Sequence, residues 1–252
     1  MSENGTRTVR TGGVRLVYRA WGAERGVPVV LLHCLGEDGE DWRGPLISQL
    51  GAAHPVYALD LRGHGDSDWP GAYAMDDFRR DLLGFLDALG IGAAILIGHS
   101  FGSVVAYLFA QEHPDRVARL VLEETGAMKP VRPPQEVPDR PQGEQSFDWE
   151  VKVQWTRQRN EPDPRWWDDL DRITAPTLLI GGGDRSHLPQ EDLARMAERI
   201  PRARHITVAG AGHLVHEARP TEFASAVQTF LAECAGDDGG GGDDGDGAGD
   251  RS

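Results

Sequence analysis

Lysine is nearly missing from this chain: Lys129 and Lys152 are the only two among 26 basic residues. Against 40 acidic residues this leaves a formal net charge of −14, which argues against nucleic acid and anionic membranes as partners. Cysteine is as scarce. Cys34 and Cys234 are too few for a disulfide framework and fit a reducing compartment. No apolar run approaches the roughly 18 residues of a membrane helix. Residues 1–5 carry no basic start followed by an apolar stretch, so no secretory signal is expected and the expected location is cytoplasmic. The histidines and cysteines form no zinc cluster of the H-x-x-x-H or C-x-x-C kind. No Walker motif or dinucleotide fingerprint occurs either; Gly181-Gly182-Gly183 lacks the spacing and helix start that a pyrophosphate needs. The expectation is therefore no metal and no cofactor.

What is present is the pattern of one globular domain with an insertion. At 252 residues with 39% hydrophobic content, the chain can bury a substantial core. Apolar strand-like runs at 14–21, 27–32, 56–61, 93–97, 117–122, 177–180 and 205–208 alternate with helical stretches. Alternation of this kind gives an α/β protein, with a mainly parallel sheet covered on both faces. The helical stretch 76–89 carries Phe78, Leu82, Leu83, Phe85, Leu86 and Leu89 on one face, and further helices are expected at 190–200 and 220–232.

Two segments break the rhythm. Residues 126–174 hold seven of the sixteen prolines and four of the seven tryptophans. Long insertions are usually functional lids or loops, and the tryptophans argue for packing, so this segment reads as a small cap over a site. Residues 236–252 hold six aspartates and eight glycines with no apolar run, and are expected to be a disordered acidic tail. The expected organisation is thus a core of 1–125 and 175–235, a cap of 126–174 and a tail of 236–252.

The most informative residues are Gly98-His99-Ser100-Phe101-Gly102. They stand where the apolar run 93–97 stops and the helical spacing of Val104, Val105, Leu108 and Phe109 begins. A G-x-S-x-G pentad at a strand-to-helix junction is a nucleophile elbow, whose tight turn exposes the serine hydroxyl above the sheet. Ser100 is the candidate nucleophile, and a serine hydroxyl needs a base within hydrogen-bond reach.

Four segments together resemble the α/β-hydrolase superfamily: His33-Cys34-Leu35-Gly36, Asp60-Leu61-Arg62-Gly63-His64-Gly65-Asp66-Ser67, the pentad, and Gly210-Ala211-Gly212-His213. The resemblance spans residues 9–234. It implies the α/β-hydrolase fold: a mainly parallel sheet of about eight strands flanked by helices, with a chain order of serine, acid, histidine. His213, in a loop after the strand at 205–208, is the candidate base. Asp184, just past the strand 177–180, lies where the superfamily usually places its acid, although one residue early against Pro189. Glu124, at the end of the strand 117–122, is the alternative, with Glu123 beside it. Asp184 is favoured. By resemblance, the backbone N–H groups of Leu35 and Phe101 form the oxyanion hole, where Cys34 replaces the usual glycine. Cys34 has no partner base and reads as a small buried thiol rather than a nucleophile. His33, His64 and His99 are expected to be structural, His216 packed or capping, and His54, His113, His187 and His205 peripheral.

The implied function is hydrolysis of a small carboxylic ester, lactone or thioester through an acyl-Ser100 intermediate. The expected partner is a small-molecule substrate with an apolar or aromatic acyl part. The alternatives on the same fold are a C–C hydrolase, lyase or cofactor-free haloperoxidase, or a catalytically silent binding protein.

Overall fold

The computed structural model describes residues 5–126 and 128–238, with side chains as far as Cys234. Eight strands form one sheet: β1 (Thr6–Thr11), β2 (Val14–Gly22), β3 (Val29–Leu32), β4 (Pro55–Asp60), β5 (Ala94–His99), β6 (Val117–Glu123), β7 (Thr177–Gly181) and β8 (Ala203–Thr207). Their order is β1-β2-β4-β3-β5-β6-β7-β8. The first two strands pair antiparallel and β3 to β8 run parallel, so the C-terminal ends of β3, β5, β6 and β7 share one edge.

Strand residues sort by their period of two. Val30 and Leu32 of β3 and Leu96 of β5 face one buried layer, while Val29, Leu31, Ile95 and Ile97 face the other. Burial on both faces explains the unbroken apolar runs of these strands. Helices α1 (Pro45–Leu50), α7 (Val215–Ala218) and α8 (Pro220–Asp238) cover one face; α2 (Met75–Ala88), α3 (Phe101–Glu112) and α6 (Gln190–Arg199) cover the other.

Between β6 and β7 lie helices α4 (Trp149–Asn160) and α5 (Arg165–Asp168). Trp155 and Trp166 stack with centroids 6.5 Å apart, and Trp155 meets Phe101 edge-to-face at 5.2 Å. Side-chain amides latch α4 to the loop before α2: Gln154 Oε1 accepts from Tyr73 N at 2.8 Å and Gln158 Oε1 from Met75 N at 2.9 Å. Tyr73 donates its hydroxyl to Asp148 at 2.7 Å. Trp155 therefore packs against the start of α3, with Trp166 stacked on it.

Three elements depart from the sequence expectation. β1 reads Thr-Arg-Thr-Val-Arg-Thr; as an exposed edge strand it has no apolar alternation to reveal it. α1 is a six-residue helix after Gly44, too short for periodicity to stand out. α8 runs to Asp238, past Gly236 and into the expected tail, while residues 239–252 of that tail lie outside the described residues. Among the described residues no helix is long and apolar enough to cross a membrane.

Candidate active site

Ser100 caps α3 at the end of β5 with φ 49° and ψ −106°. Glu124, one residue past β6, has φ 48°. These are the only positive-φ residues other than glycine among the described residues, and strained backbone of this kind concentrates at functional sites. They stand at the ends of neighbouring parallel strands, and the Ser100 N–H donates to the Glu123 carbonyl at 2.8 Å.

The two glycines of the pentad make the elbow possible. A Cβ on Gly98 would lie 2.6 Å from the Gly102 backbone, and one on Gly102 would lie 2.1 Å from the Leu32 carbonyl oxygen. That second approach presses the start of α3 against the end of β3, bringing the loop with Cys34 and Leu35 beside Phe101. Neither the Leu35 nor the Phe101 N–H is engaged by another group among the described residues. His33 shapes this loop: its Nδ1 donates to the Cys34 carbonyl at 2.7 Å and its Nε2 accepts from Leu61 N at 3.0 Å. Burial pushes the His33 imidazole down to about 4, so it stays neutral in this role. Cys34 is half-buried, and burial pushes its thiol far up, leaving no thiolate to attack a substrate.

His213 Nδ1 lies 3.1 Å from Glu124 Oε2. The favoured carboxylate, Asp184, is not in this position: it is exposed on the turn after β7 and makes no hydrogen bond or ion pair among the described residues. What the β7 turn turns inward is different. Gly182 N donates to Glu124 Oε1 at 2.6 Å, Gln190 Nε2 donates to the same oxygen at 3.2 Å, and the Ser186 hydroxyl donates to Oε2. Burial raises the Glu124 pKa, but the bonds from His213, Ser186, Gly182 and Gln190 outweigh it and hold the carboxyl below its ordinary value. An ionised Glu124 on Nδ1 leaves His213 Nε2 free. Ser100 Oγ makes no hydrogen bond among the described residues, an openness common in unliganded sites of this kind.

His99 ties the two halves together, its Nε2 donating to the His213 carbonyl at 2.9 Å. His187 was expected to be peripheral, yet its ring centroid lies 4.2 Å from that of His213. Its loop position gave no periodic signal; only its spacing of five residues from Gly182 ties it to the turn that braces Glu124. Ser100, Phe101, Glu124, Trp155 and His187 line one cavity of about 250 Å³.

Glu123 points the opposite way from Glu124 and bonds His216. Its Oε2 lies 2.8 Å from His216 Nδ1, while Asp41 Oδ1 lies 3.3 Å from Nε2 and Trp42 stacks on the ring at 4.6 Å. His99, Glu123 and His216 have ligand atoms within 4.8 Å of one another; Glu123 and His216 are engaged in these bonds, while His99 Nδ1 has no hydrogen-bond partner among the described residues. Burial lowers the His216 pKa, and Glu123 and Asp41 more than reverse it, holding the imidazolium up to about 10. The folded value lies above the 6.5 of the free side chain, so this stabilisation is complete below pH 6.5 and is lost as pH rises through about 10. Urea unfolding of the wild type should therefore show stability falling over that interval. His216→Gln should be less stable by about 3–5 kcal/mol at neutral pH and lack most of that slope; an unchanged slope would refute the pairing.

A family model described as the alpha/beta hydrolase fold matches residues 27–140. An sn-1-specific diacylglycerol lipase ABHD11 of Mus musculus is 26% identical over 219 residues, covering 70% of this chain and 71% of that protein. A non-heme chloroperoxidase of Streptomyces lividans is 38% identical over 127 residues, 49% of this chain and 45% of that one. Among solved structures, the enol-lactonase of Burkholderia xenovorans LB400 superposes with a TM-score of 0.80 at 25% identity, covering 90% of this chain and all of that one.

Proposed function

Because the chain belongs to the α/β-hydrolase superfamily, we propose that it hydrolyses a small carboxylic ester, lactone or thioester through an acyl intermediate on Ser100. The observation that carries this reading is the hydrogen bond from His213 to an ionised Glu124 beside the strained elbow serine. Relatives named as lipase and lactonase lend it support.

In the proposed reaction Ser100 Oγ attacks the acyl carbon while His213 Nε2 takes the hydroxyl proton. The Leu35 and Phe101 amides stabilise the oxyanion, and Glu124 orients and stabilises the imidazolium. Collapse of the tetrahedral intermediate passes that proton from His213 to the leaving alcohol or thiol. Water, deprotonated by His213, then attacks the acyl-Ser100, and the imidazolium returns the proton to Ser100 as the acid departs. The apolar wall of Phe101, Val104, Trp155 and Leu188 suits an apolar or aromatic acyl part.

A fluorophosphonate probe tests the reading. Ser100 should be labelled in the wild type and labelling should vanish in Ser100→Ala; no labelling of folded protein would overturn it. Similarity to the chloroperoxidase favours one second reading, a cofactor-free haloperoxidase. Labelling of Ser100 without turnover of any aryl ester, alongside peroxide-dependent halogenation, would decide for it.

A further inference from the structure

The cavity beside Ser100 carries positive charge that no carboxylate among the described residues neutralises. Arg159 lies on the same face of α4 as Trp155, one turn on, and Lys152 lies on that face two turns back. The Arg159 guanidinium packs 5.9 Å from the Trp155 ring centroid, half-buried, and lines the cavity. It makes no hydrogen bond or ion pair with any described residue. Burial alone depresses its pKa, with no carboxylate opposing, and Lys152 is depressed by burial and by Arg159. Lys129 also lines the cavity, its ammonium 4.4 Å from the Trp167 ring centroid and without a carboxylate partner among the described residues.

Two further features sharpen the pattern. Thr125, on the same wall, is 2% exposed, and its hydroxyl oxygen has no hydrogen-bond partner. The cavity's two acids are already engaged: Glu124 holds His213, and Asp192 lies 3.5 Å from Arg195. Stacking on one tryptophan is a small gain beside the cost of desolvating an unpaired guanidinium. In a chain with fourteen excess negative charges, cations gathered at one cavity without a carboxylate among the described residues suit an anionic ligand.

We propose that the cavity receives the anionic end of the substrate, and that the acyl part held on Ser100 is a short dicarboxylic half-acid. Arg159 grips its free carboxylate, with the Lys129 ammonium and the Thr125 hydroxyl alongside. The proposal rests on the acyl-Ser100 reading and revises its acyl part: the apolar wall holds the methylenes, and the far end is a carboxylate rather than an aromatic group. Arg159 and Thr125 are specificity residues here, and the chemistry at Ser100 is unchanged.

The test compares mono-p-nitrophenyl adipate with its methyl ester, in which one added methyl group removes the charge at the far end. The wild type should prefer the anionic ester in kcat/KM by at least about 10-fold, and Arg159→Met should lower that value by about 10- to 100-fold, mainly through KM. The same variant should leave the neutral ester within about twofold, and Arg159→Lys should keep part of the preference. Equal handling of the two esters by the wild type, or equal loss of both in Arg159→Met, would overturn the proposal. If Ser100 proves unreactive, the hydrolase reading fails by itself, and calorimetry on Ser100→Ala still reads the anion site. Binding of the monoester but not the methyl ester, abolished by adding Arg159→Met, supports it; no difference between the esters rejects it. Melting temperatures of each variant confirm that the fold is kept.

Discussion

Ser100→Ala and His213→Ala are each expected to lower kcat/KM on an activated aryl ester by several orders of magnitude, and the double variant to lose little more than either alone. The reason is geometric. The hydroxyl at the end of β5 is a poor nucleophile without a base, and the imidazole braced by Glu124 has no proton to take without the hydroxyl. Groups that act as one unit do not contribute additively, and a residual rate above that of water should survive from the two unengaged amides and substrate binding. Steady-state kinetics on the two single variants and the double variant check this. Losses that multiply in the double variant would mean that the two side chains serve different steps.

Much of this site is legible in the sequence because it is local. The elbow needs five consecutive residues at a strand-to-helix change, and the small residues at 98 and 102 answer to close backbone approaches that only glycine tolerates. His213 follows a strand across a glycine turn, which places it at the same sheet edge. The carboxylate partner was harder to read, since it depends on how two loops face one another across β6 and β7. Nothing local separates Asp184 from Glu124. The deciding facts are the exposed outer face of the β7 turn and the inward Gly182 amide and Ser186 hydroxyl. The edge strand β1 and the charged lining of the cavity escaped for a related reason. An exposed strand shows no hydrophobic period, and unpaired cations stand out only once their neighbours are known.

Glu124→Gln is expected to reduce kcat by about two to four orders of magnitude, whereas Asp184→Asn should stay within about twofold of the wild type. An amide at position 124 removes the charge that stabilises the imidazolium and can favour the wrong tautomer of His213, while the base itself remains in place. It also sets an NH₂ group among the Gly182 N–H, the Ser186 hydroxyl and the Gln190 amide, all of which donate to the carboxylate. Some stability should therefore be lost with activity, and urea unfolding alongside kinetics separates the two effects. Asp184 touches none of these groups, so neutralising it changes only an exposed charge. The wild-type carboxyl, held below its ordinary 4.5, contributes its stabilisation above that pH and loses it as pH falls through the lower folded value. The acid limb of wild-type stability should accordingly be blunted in Glu124→Gln. A large rate loss in Asp184→Asn with Glu124→Gln near full activity would require the loop after β7 to rearrange on substrate binding, exchanging one acid for the other.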